Sequence, residues 1–495
     1  MRNSVCLLTL LLLSSCAVGP DFHEPAPPAA SDYGAAPSAG KTTEATDPAG
    51  AAQQFVPGKD IPSQWWTLFH SEQLSGLVGQ ALKANPNMEA AEAALRQSHE
   101  LYRAQWTAFF PLLQGGMSAE RAKNPYNSIA PPTISSNPTY NLYTAQLSLS
   151  YAPDVFGGTR RAVEAAKAGE GVSRFQLEAT YVTLSSNVVV TAIQEASLRD
   201  QVAATQRLLD LEHSLTETVQ RQHAIGTASE LDILAQQTAE SQTAQLLPPL
   251  QKQLGQARDA LTALLGRLPS GEPAESFHLS DLALPTELPV SVPSKLVEQR
   301  PDVRQAEENL HAATAEVGVA IADMLPQFTI NSGDGSTALA TTQLLGSGNG
   351  FWSVGGSLAQ TLFDAGALIH KRRAADAAMD QAAAQYRTAV ILACQNVADT
   401  LRALQSDADA LKAGADADRA AKSSFELAQS QFKLGTISFV SVLNAEQAYQ
   451  QAEISLIQAR ANRFSDTAGL FQALGGGWWN RSEVASNEQF GVAGK

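Results

Sequence analysis

Cysteine is nearly absent from this chain: only three occur in 495 residues. Cys6 and Cys16 both lie close to the N-terminus, and Cys394 stands alone in a segment of helical composition. A disulfide framework within the body of the chain is therefore excluded, because one cysteine has no second one to pair with.

Positive charge is also scarce. Lysine and arginine together number 34 against 49 aspartates and glutamates, which gives a formal net charge of −15. No basic stripe or cluster of the kind that follows a phosphate backbone is visible in the sequence. These two observations exclude nucleic acid as a partner.

Motifs of enzyme and metal chemistry are missing as well. We find no Gly-rich phosphate loop, no nucleophile elbow and no His/Cys metal spacing. The eight histidines are scattered, and the closest helical pair, His213 and His223, has a spacing unsuited to metal ligands. We therefore expect no enzyme, no catalytic residue, no metal site and no cofactor other than a covalent lipid.

The chain lacks any run of about 20 apolar residues, the length that a membrane-spanning helix requires. Its N-terminal run, Val5 to Leu13, follows Arg2 and is succeeded by Ser14, Ser15 and Cys16. A basic start, a short apolar region and small residues are typical of a secretory signal peptide, here 1–15. A cysteine directly after Leu-Ser-Ser fits a bacterial lipobox.

We therefore predict that Cys16 is lipidated and becomes the mature N-terminus. Residues 16–60 are rich in Pro, Ala, Gly and Ser, and this composition predicts a tether without a core of its own. Any further crossing of a membrane is expected to be made by strands.

The chain contains one unit twice. Asn85-Pro86 corresponds to Arg300-Pro301 at the same offset that relates Pro111 to Pro326, and Ile225-Gly226-Thr227 corresponds to Leu434-Gly435-Thr436. A repeat of this length indicates half of one body rather than one turn of a solenoid. The predicted divisions are a first repeat at 61–266, a linker at 267–299, a second repeat at 300–476 and a C-terminal tail at 477–495.

Each repeat contains a predicted strand pair, 111–121 with 140–151 and 326–334 with 351–363. Between Tyr140 and Tyr151, one set of alternate residues is apolar and the other mostly polar, which is typical of a strand with two different faces. Strands of about 9–11 residues with one apolar face are characteristic of membrane barrels. A soluble hairpin fits the same pattern.

Two very long helices follow the strand pairs and end near Ala224 and Lys433. About 60 helical residues span ~90 Å, more than a compact domain needs. In the second helix four apolar residues recur every seven positions, which predicts a coiled-coil seam. They are Val390, Val397, Leu404 and Leu411.

Each long helix ends at a glycine turn, since glycine readily adopts the left-handed conformation that closes a helix. Return helices are predicted at 229–265 and 438–474. Pro248-Pro249 should break or kink the first of them, and the second lacks a counterpart. Five prolines in the linker 267–299 predict little regular structure there.

Together these features resemble the outer membrane factors, the TolC-like exit ducts of bacterial tripartite efflux and secretion systems, and most of all the lipidated NodT-type branch. The match covers nearly all of the mature chain, roughly 60–478. The residues that carry it are Cys16-Ala17-Val18-Gly19-Pro20-Asp21-Phe22, Trp65-Trp66, Asn85-Pro86, Arg300-Pro301-Asp302-Val303, Leu362-Phe363-Asp364-Ala365-Gly366 and the two glycine turns.

The resemblance implies an α+β membrane protein built as a homotrimer. Each subunit would give four strands to a twelve-stranded outer membrane β-barrel, which a long α-helical periplasmic barrel would continue. The linker 267–299 and the tail would contribute to a belt around the middle. Four strands cannot close a barrel alone, and open edges cannot face lipid.

The resemblance also assigns roles near the glycine turns. Contact with a periplasmic adaptor protein is assigned to Ile225, Gly226, Thr227, Leu434, Gly435 and Thr436. The pore constriction is assigned to Glu230, Asp232, Ser441 and Asn444. Since the family often has aspartates where this chain has Ser441 and Asn444, we expect a constriction that is less sensitive to cations. The alternatives are that the turns are helix caps only and that Asp232 stabilises a helix start.

The sequence thus predicts a passive conduit in a bacterial outer membrane, lipid-anchored and with a large periplasmic part. An inner-membrane transporter would supply the energy, and the lipobox favours small-molecule efflux. Two alternatives stay open: a duct for type I-like protein secretion, and a structural coiled-coil lipoprotein without a pore.

Overall fold

The computed structural model describes residues 17–30, 32–34, 40–123, 139–272 and 277–481. The predicted signal peptide 1–15, the lipidation site Cys16 and the tail beyond residue 481 lie outside these ranges. Six strands and eight helices are formed within the described residues, connected by loops and short 3₁₀ turns.

The strands are β1 (Gln54–Pro57), β2 (Leu112–Lys123), β3 (Thr139–Tyr151), β4 (Glu287–Val290), β5 (Gln327–Ala338) and β6 (Gly350–Ala359). The helices are α1 (Glu72–Ala84), α2 (Pro86–Trp106), α3 (Gly158–Ala224), α4 (Glu230–Leu264), α5 (Pro293–Gln299), α6 (Pro301–Ala322), α7 (Ala367–Lys433) and α8 (Phe439–Ala473).

The two repeats match in the lengths of their elements. The long helices α3 and α7 each have 67 residues, and the return helices α4 and α8 each have 35. The strands β2 and β5 each have 12. The main difference in length lies between the start of the strand pair and the start of the long helix, where the second copy is the shorter one.

One compact unit, here the sheet unit, comprises residues 17–24, 96–172 and 306–386 of the described chain. Its four strands form an antiparallel sheet in the order β2-β3-β5-β6, so the two predicted strand pairs join through β3 and β5. One row of directly paired residues runs across all four strands: Leu113, Leu149, Ser332 and Val354.

The observed strand bounds differ from the predicted ones. β5 continues to Ala338 rather than ending at 334, and β6 ends at Ala359 rather than at 363. Gly335 and Ser336 have little strand propensity of their own, but Gly335 pairs with Gln146 and Ser336 pairs with Ala145 on β3. Cross-strand pairing therefore outweighs local preference here.

The second compact unit, here the hairpin unit, comprises residues 25–95, 173–305 and 387–481 of the described chain. Its aromatic core is anchored by Trp65, which is fully buried and stacks on Phe471 with ring centroids 5.2 Å apart. Phe69 and Phe464 are also buried and lie 6.2 Å apart. The Trp65-Trp66 pair therefore fixes a short 3₁₀ turn onto α8.

The coiled-coil seam predicted for α7 is buried along most of its length. The positions that alternate at three- and four-residue spacing have little exposed surface, as knobs-into-holes packing requires. They are Val397, Leu401, Leu404, Ala408, Leu411 and Ala415.

The predicted tether does not hold for residues 40–57. Gln53 is fully buried, and its Nε2 donates to the carbonyl of Pro285 and to Oγ1 of Thr467, both at 3.2 Å. The guanidinium of Arg463, also fully buried, donates to Oγ1 of Thr42 at 3.1 Å. A Pro/Ala-rich segment can thus pack by hydrogen bonding its polar groups to a neighbouring helix.

The linker 267–299 has more regular structure than its prolines predicted. β4 pairs in parallel with β1, from Gln54 opposite Glu287 to Pro57 opposite Val290. The short helix α5 starts with Pro293, a position where the missing N–H costs nothing.

The predicted break at Pro248-Pro249 is not present, because α4 runs through both prolines without interruption. Two backbone hydrogen bonds are lost there. The neighbouring side chains of Thr243 and Leu247 are buried, so packing holds this part of the helix in place. Across the described residues, no helix has both the length and the apolar character needed to cross a membrane.

Candidate functional site

The four-stranded sheet has one face that is largely apolar. Residues directly paired across antiparallel strands point to the same side of a sheet. On one side lie Leu113, Met117 and Leu147, followed on β6 by Trp352 and Val354. Met117 is 82% exposed and Trp352 is 77% exposed, so this face presents large apolar side chains to its surroundings.

The strand β5 departs from that pattern. It contributes Ser332, Asp334 and Ser336 to the otherwise apolar face, with Asp334 between Leu147 and Trp352. The apolar band is therefore interrupted on one of the four strands.

The opposite face of the sheet is mostly polar. One row across the strands consists of Gln114, Ser148, Gly333 and Ser353. Two rows further along the same face, Oγ1 of Thr144 and Oγ1 of Thr337 lie 3.3 Å apart. A sheet with an apolar side and a polar side can separate lipid from water.

Within the described residues, the sheet ends in two open edges. β2 and β6 each pair on one side only, so each carries a row of backbone N–H and C=O groups that none of the described strands satisfies. Unpaired edges invite pairing with another chain, and in hydrocarbon they are not tolerated.

The two glycine turns of the hairpin unit have the same geometry. The N–H of Gly226 donates to His223 and that of Thr227 to Gln222, both at 2.9 Å. The hydroxyl of Thr227 donates to the same Gln222 carbonyl at 3.0 Å. Gly226 has a φ of 76°, which a residue with a side chain rarely adopts. This is the Schellman closure of a helix.

The second turn repeats these contacts. Gly435, with a φ of 72°, donates to Phe432, and both the N–H and the hydroxyl of Thr436 bond to Gln431. Ile225 and Leu434, which precede the two glycines, are 76% and 79% exposed. All six residues predicted to contact an adaptor therefore lie at two exposed hairpin tips that share the same backbone geometry.

The residues predicted to form a constriction start the two return helices. Asp232 forms a capping box with Ser229: its Oδ2 accepts from the N–H of Ser229 at 2.9 Å and from its hydroxyl at 2.7 Å. Glu230 is exposed beside it. The Asp232 carboxylate thus stabilises the start of α4, the cap function foreseen as an alternative.

At the equivalent position of the second copy, the helix start lacks this cap. The hydroxyls of Ser438 and Ser441 lie 3.1 Å apart, and the Ser438 side chain accepts no bond from the backbone of α8. Ser441 and Asn444 are both exposed. The two helix starts therefore differ in charge and in capping.

A small apolar cluster joins the two hairpins close to their tips. Val219 of α3 packs with Phe425 of α7 and with Phe439 and Val442 of α8. Phe432 and Phe439 have ring centroids 5.2 Å apart. This apolar cluster therefore supports the helix ends that present the two exposed turns.

A buried pair of carboxyls lies farther from the tips, and sequence reasoning missed it. Glu446 of α8 is 2% exposed, and neither of its carboxylate oxygens has a hydrogen-bond partner among the described residues. Burial first, and then the charge of Glu212 on α3, raise the pKa of Glu446 to about 8. Burial likewise raises the pKa of Glu212 to about 7.

Neighbouring groups define the surroundings of this pair. Oε1 of Glu212 accepts from Thr243 at 2.8 Å, and its backbone carbonyl accepts from Gln236 at 3.2 Å. Glu240 of α4 adds negative charge near Glu212, while its own carboxylate bonds to Thr216 and His213. No sequence motif marks this pair, because glutamates on a long helix are usually exposed.

The family model for outer membrane efflux proteins matches the chain in two stretches, residues 77–267 and 292–476. Each match covers one long helical hairpin with the strand pair that precedes it.

Several outer membrane proteins are similar to this chain over most of their length. The pyoverdine export outer membrane protein OpmQ of Pseudomonas putida is 28% identical, covering 97% of this chain and 98% of OpmQ. The probable efflux pump outer membrane protein TtgC of the same species is also 28% identical, covering 97% and 96%. The probable outer membrane lipoprotein SilC of Salmonella typhimurium is 25% identical, covering 84% and 88%.

Solved structures share the fold. The outer-membrane channel OprN superposes with a TM-score of 0.84 at 27% identity, covering 94% of this chain and all of OprN. The Campylobacter jejuni outer membrane channel CmeC gives the same TM-score at 20% identity, covering 96% and 98%, and at that identity the likeness concerns the fold alone.

Proposed function

The chain belongs to the outer membrane efflux protein family, and from that premise we propose that it is the outer membrane channel of a tripartite efflux system. Three copies form a passive exit duct for small molecules. An inner-membrane transporter drives the transport and a periplasmic adaptor protein connects the two. The two-faced sheet with open edges carries this proposal.

The two open edges of the sheet support assembly with neighbouring copies. β2 of one copy would pair with β6 of the next, so that three sheets of four strands make one twelve-stranded barrel without edges. The apolar face with Met117 and Trp352 would then meet lipid, and the polar face with Gln114 and Ser353 would line the lumen. The shortest of these strands has 10 residues and the longest 13, which is long enough to cross a bilayer when tilted.

The helical hairpins would continue the duct into the periplasm. Each long helix has 67 residues and so spans about 100 Å. The exposed apolar residues Ile225 and Leu434 at the two tips are suited to contact with an adaptor, together with the glycine turns that present them.

We further propose that the first turns of α4 and α8 line the narrowest part of the pore. Three copies of Asp232 and Glu230 would supply negative charge there, while Ser441 and Asn444 would leave the second ring neutral. The capping box limits the freedom of Asp232, since its carboxylate is already bonded to Ser229.

A lipid on Cys16 would anchor each copy to the outer membrane. The relative SilC is named a lipoprotein, and the sequence before Cys16 fits a lipobox. The relatives named for pyoverdine export and for efflux pumps make small organic molecules the expected class of cargo.

The deciding experiment is conductance of the purified full chain in planar bilayers, combined with native mass spectrometry. We expect stepwise channel openings and a mass of three chains. A monomer without conductance would favour the alternative of a structural coiled-coil lipoprotein. Rescue of protein secretion, but not of drug efflux, in a strain that lacks its exit ducts would favour the secretion duct.

The charge of the constriction is tested with a trivalent cation on the same channels. We expect weak block that Asp232→Asn removes, and stronger block when Ser441 and Asn444 are both replaced by aspartate. Strong block of the unaltered channel that only changes at Ser441 or Asn444 abolish would contradict this assignment.

A further inference from the structure

The segment directly after Cys16 is docked onto the sheet unit by its backbone. The N–H of Val18 donates to the carbonyl of Phe156 at 3.0 Å. The carbonyl of Val18 accepts from Nε of Arg161 at 3.2 Å. Both polar backbone groups of this residue are thus satisfied by the short stretch between β3 and the first turn of α3.

Glycines allow this segment to approach its neighbours closely. A Cβ added at Gly19 would lie 2.4 Å from Cα of Gly318 on α6, and one added at Gly157 would lie 2.5 Å from Cα of Ala17. Gly19 and Gly157 also have φ values of 94° and 82°. Neither glycine can be replaced without moving backbone, which marks a fitted contact rather than a loose tether.

Side chains complete the contact. The guanidinium of Arg161, whose side chain is 5% exposed, bonds to Asp21 at 2.5 Å and to Glu164 at 2.8 Å. The ring of Phe22 stacks on His311 with centroids 4.3 Å apart and an interplanar angle of 12°. His311 is in turn held by Glu164, 3.0 Å from its Nε2. Arg161 therefore links the backbone and the side chains of the segment to α3.

The place of docking is the end of the sheet where β3 stops and β5 starts. β3 ends at Tyr151, shortly before Phe156, and the ring of Phe156 lies 6.4 Å from that of Phe328, the second residue of β5. Ala17, against Gly157, directly follows Cys16 in the chain.

We propose that residues 17–22 form an anchor latch, a docked segment that fixes the lipid attachment point at this end of the sheet, with Arg161 as its positioning residue. The proposal rests on the lipidation of Cys16 in the proposed function. A lipid attached there enters the membrane beside the strands of its own copy. A free tether would instead leave the anchor and the barrel independent of each other.

Chymotrypsin provides a direct probe, because it cleaves after Phe22 only when that ring has left His311. The full-length protein, purified from membranes, is digested, and the released fragment from Cys16 to Phe22 is followed by mass spectrometry. We expect cleavage at least tenfold slower than in a free peptide of the same sequence. The mass of the released fragment also shows whether a lipid is attached to it.

Three variants separate the latch from general stability. Gly19→Val and Arg161→Ala should each speed the cleavage by ~10-fold, since the first blocks the fit and the second removes charged hydrogen bonds. Arg372→Ala is the control for loss of an arginine, because Arg372 pairs with Asp376 within α7. Gly19→Val should leave the thermal unfolding midpoint unchanged.

The outcomes are distinguishable. Equal cleavage rates in the unaltered protein, Gly19→Val and Arg161→Ala would overturn the latch. Slow cleavage that releases an unmodified fragment would refute the lipid anchor of the proposed function while the docked segment stands. A chain with Cys16→Ala, exported by an ordinary signal peptide, should keep the slow rate, because the contacts do not involve the lipid.

Discussion

Glu446 sits where an ionised carboxylate is costly. It is buried between helices without a partner for either oxygen among the described residues, and the charged group that acts on it, Glu212, has the same sign. Desolvation and like charge both favour the protonated acid. The folded protein therefore holds these two carboxyls protonated at pH values where an unfolded chain would have ionised them.

The pH dependence of stability follows from this difference. With pKa values raised to about 8 and about 7 in the folded state, against 4.5 in a free chain, the pair favours folding most below pH 4.5. That contribution is lost as the pH rises to about 8. Glu446→Gln should remove part of this loss and raise the thermal unfolding midpoint at pH 8 more than at pH 5.

The exposed Glu426 of α7 supplies the matched control for that measurement. Glu426→Gln should leave the difference between pH 5 and pH 8 as it is in the unaltered protein. An identical pH profile for Glu446→Gln and the unaltered protein would contradict the burial of this carboxyl in the native assembly.

Asp232 allows a second prediction at this scale. Asp232→Ala removes both carboxylate bonds to Ser229 and should destabilise the first turn of α4 by about 1 kcal/mol. Amide hydrogen exchange at residues 230–236 should become faster. Ser441→Ala, at the uncapped start of α8, should leave exchange there unchanged, and an equal effect at both starts would count against the capping box.

Single residues were predictable from the sequence where backbone geometry leaves one choice. Gly226 and Gly435 follow long helical patterns and are followed by threonine, so the turns could be located without a structure. The buried state of Glu446 could not, because it depends on which face of α8 meets another helix. The latch was equally hidden, since its residues lie near a Pro-rich stretch and their partners, Arg161 and His311, are distant in the chain.

At the scale of elements, we expect an arginine to have opposite effects on membrane insertion at neighbouring residues on the two faces of the sheet. Val354→Arg puts a charge on the apolar face and should cost up to ~2–4 kcal/mol in a bilayer. The fraction of protein inserted in the outer membrane, measured by fractionation, should fall. Ser353→Arg, one residue away on the polar face, should insert normally and change the conductance instead.

A reversed result would assign the faces the other way round: normal insertion of Val354→Arg together with failure of Ser353→Arg. Asp334 makes this comparison informative, because it shows that the apolar face already tolerates one acidic residue on β5.

Element types were predictable from periodicity, whereas several element ends were not. The alternation in β3 and the seven-residue spacing in α7 both indicated the observed structure. The end of β5 and the continuity of α4 through Pro248-Pro249 depend on pairing and packing with other segments. Residues 40–57 show the same limit, since their composition says nothing of the hydrogen bonds that Gln53 and Arg463 make.

At the scale of the whole molecule, the stability of the folded sheet should depend on assembly with neighbouring copies. If the open edges of β2 and β6 are closed only by neighbouring copies, the folded sheet and the trimer form together. The thermal unfolding midpoint of the detergent-solubilised protein should then rise with protein concentration. Strand content in circular dichroism and the trimer fraction in crosslinking should be lost together.

A midpoint that is independent of concentration, with strand content retained in a monomer, would contradict closure between copies.

The sequence alone indicated the duplication and the family, and both follow from residues that recur at a fixed offset. Nothing in it indicated that the segment after Cys16 is docked.

The equal lengths of the two hairpins restrict how such a chain can change. One residue added to a helix lengthens it by about 1.5 Å and turns everything beyond it by about 100°. A residue added to α3 alone would move Val219 away from Phe439. The tip of the first hairpin would then lie at a different height from the tip of the second. Insertions and deletions that keep this packing must therefore occur as matched pairs in both copies, so the lengths of the two hairpins change together.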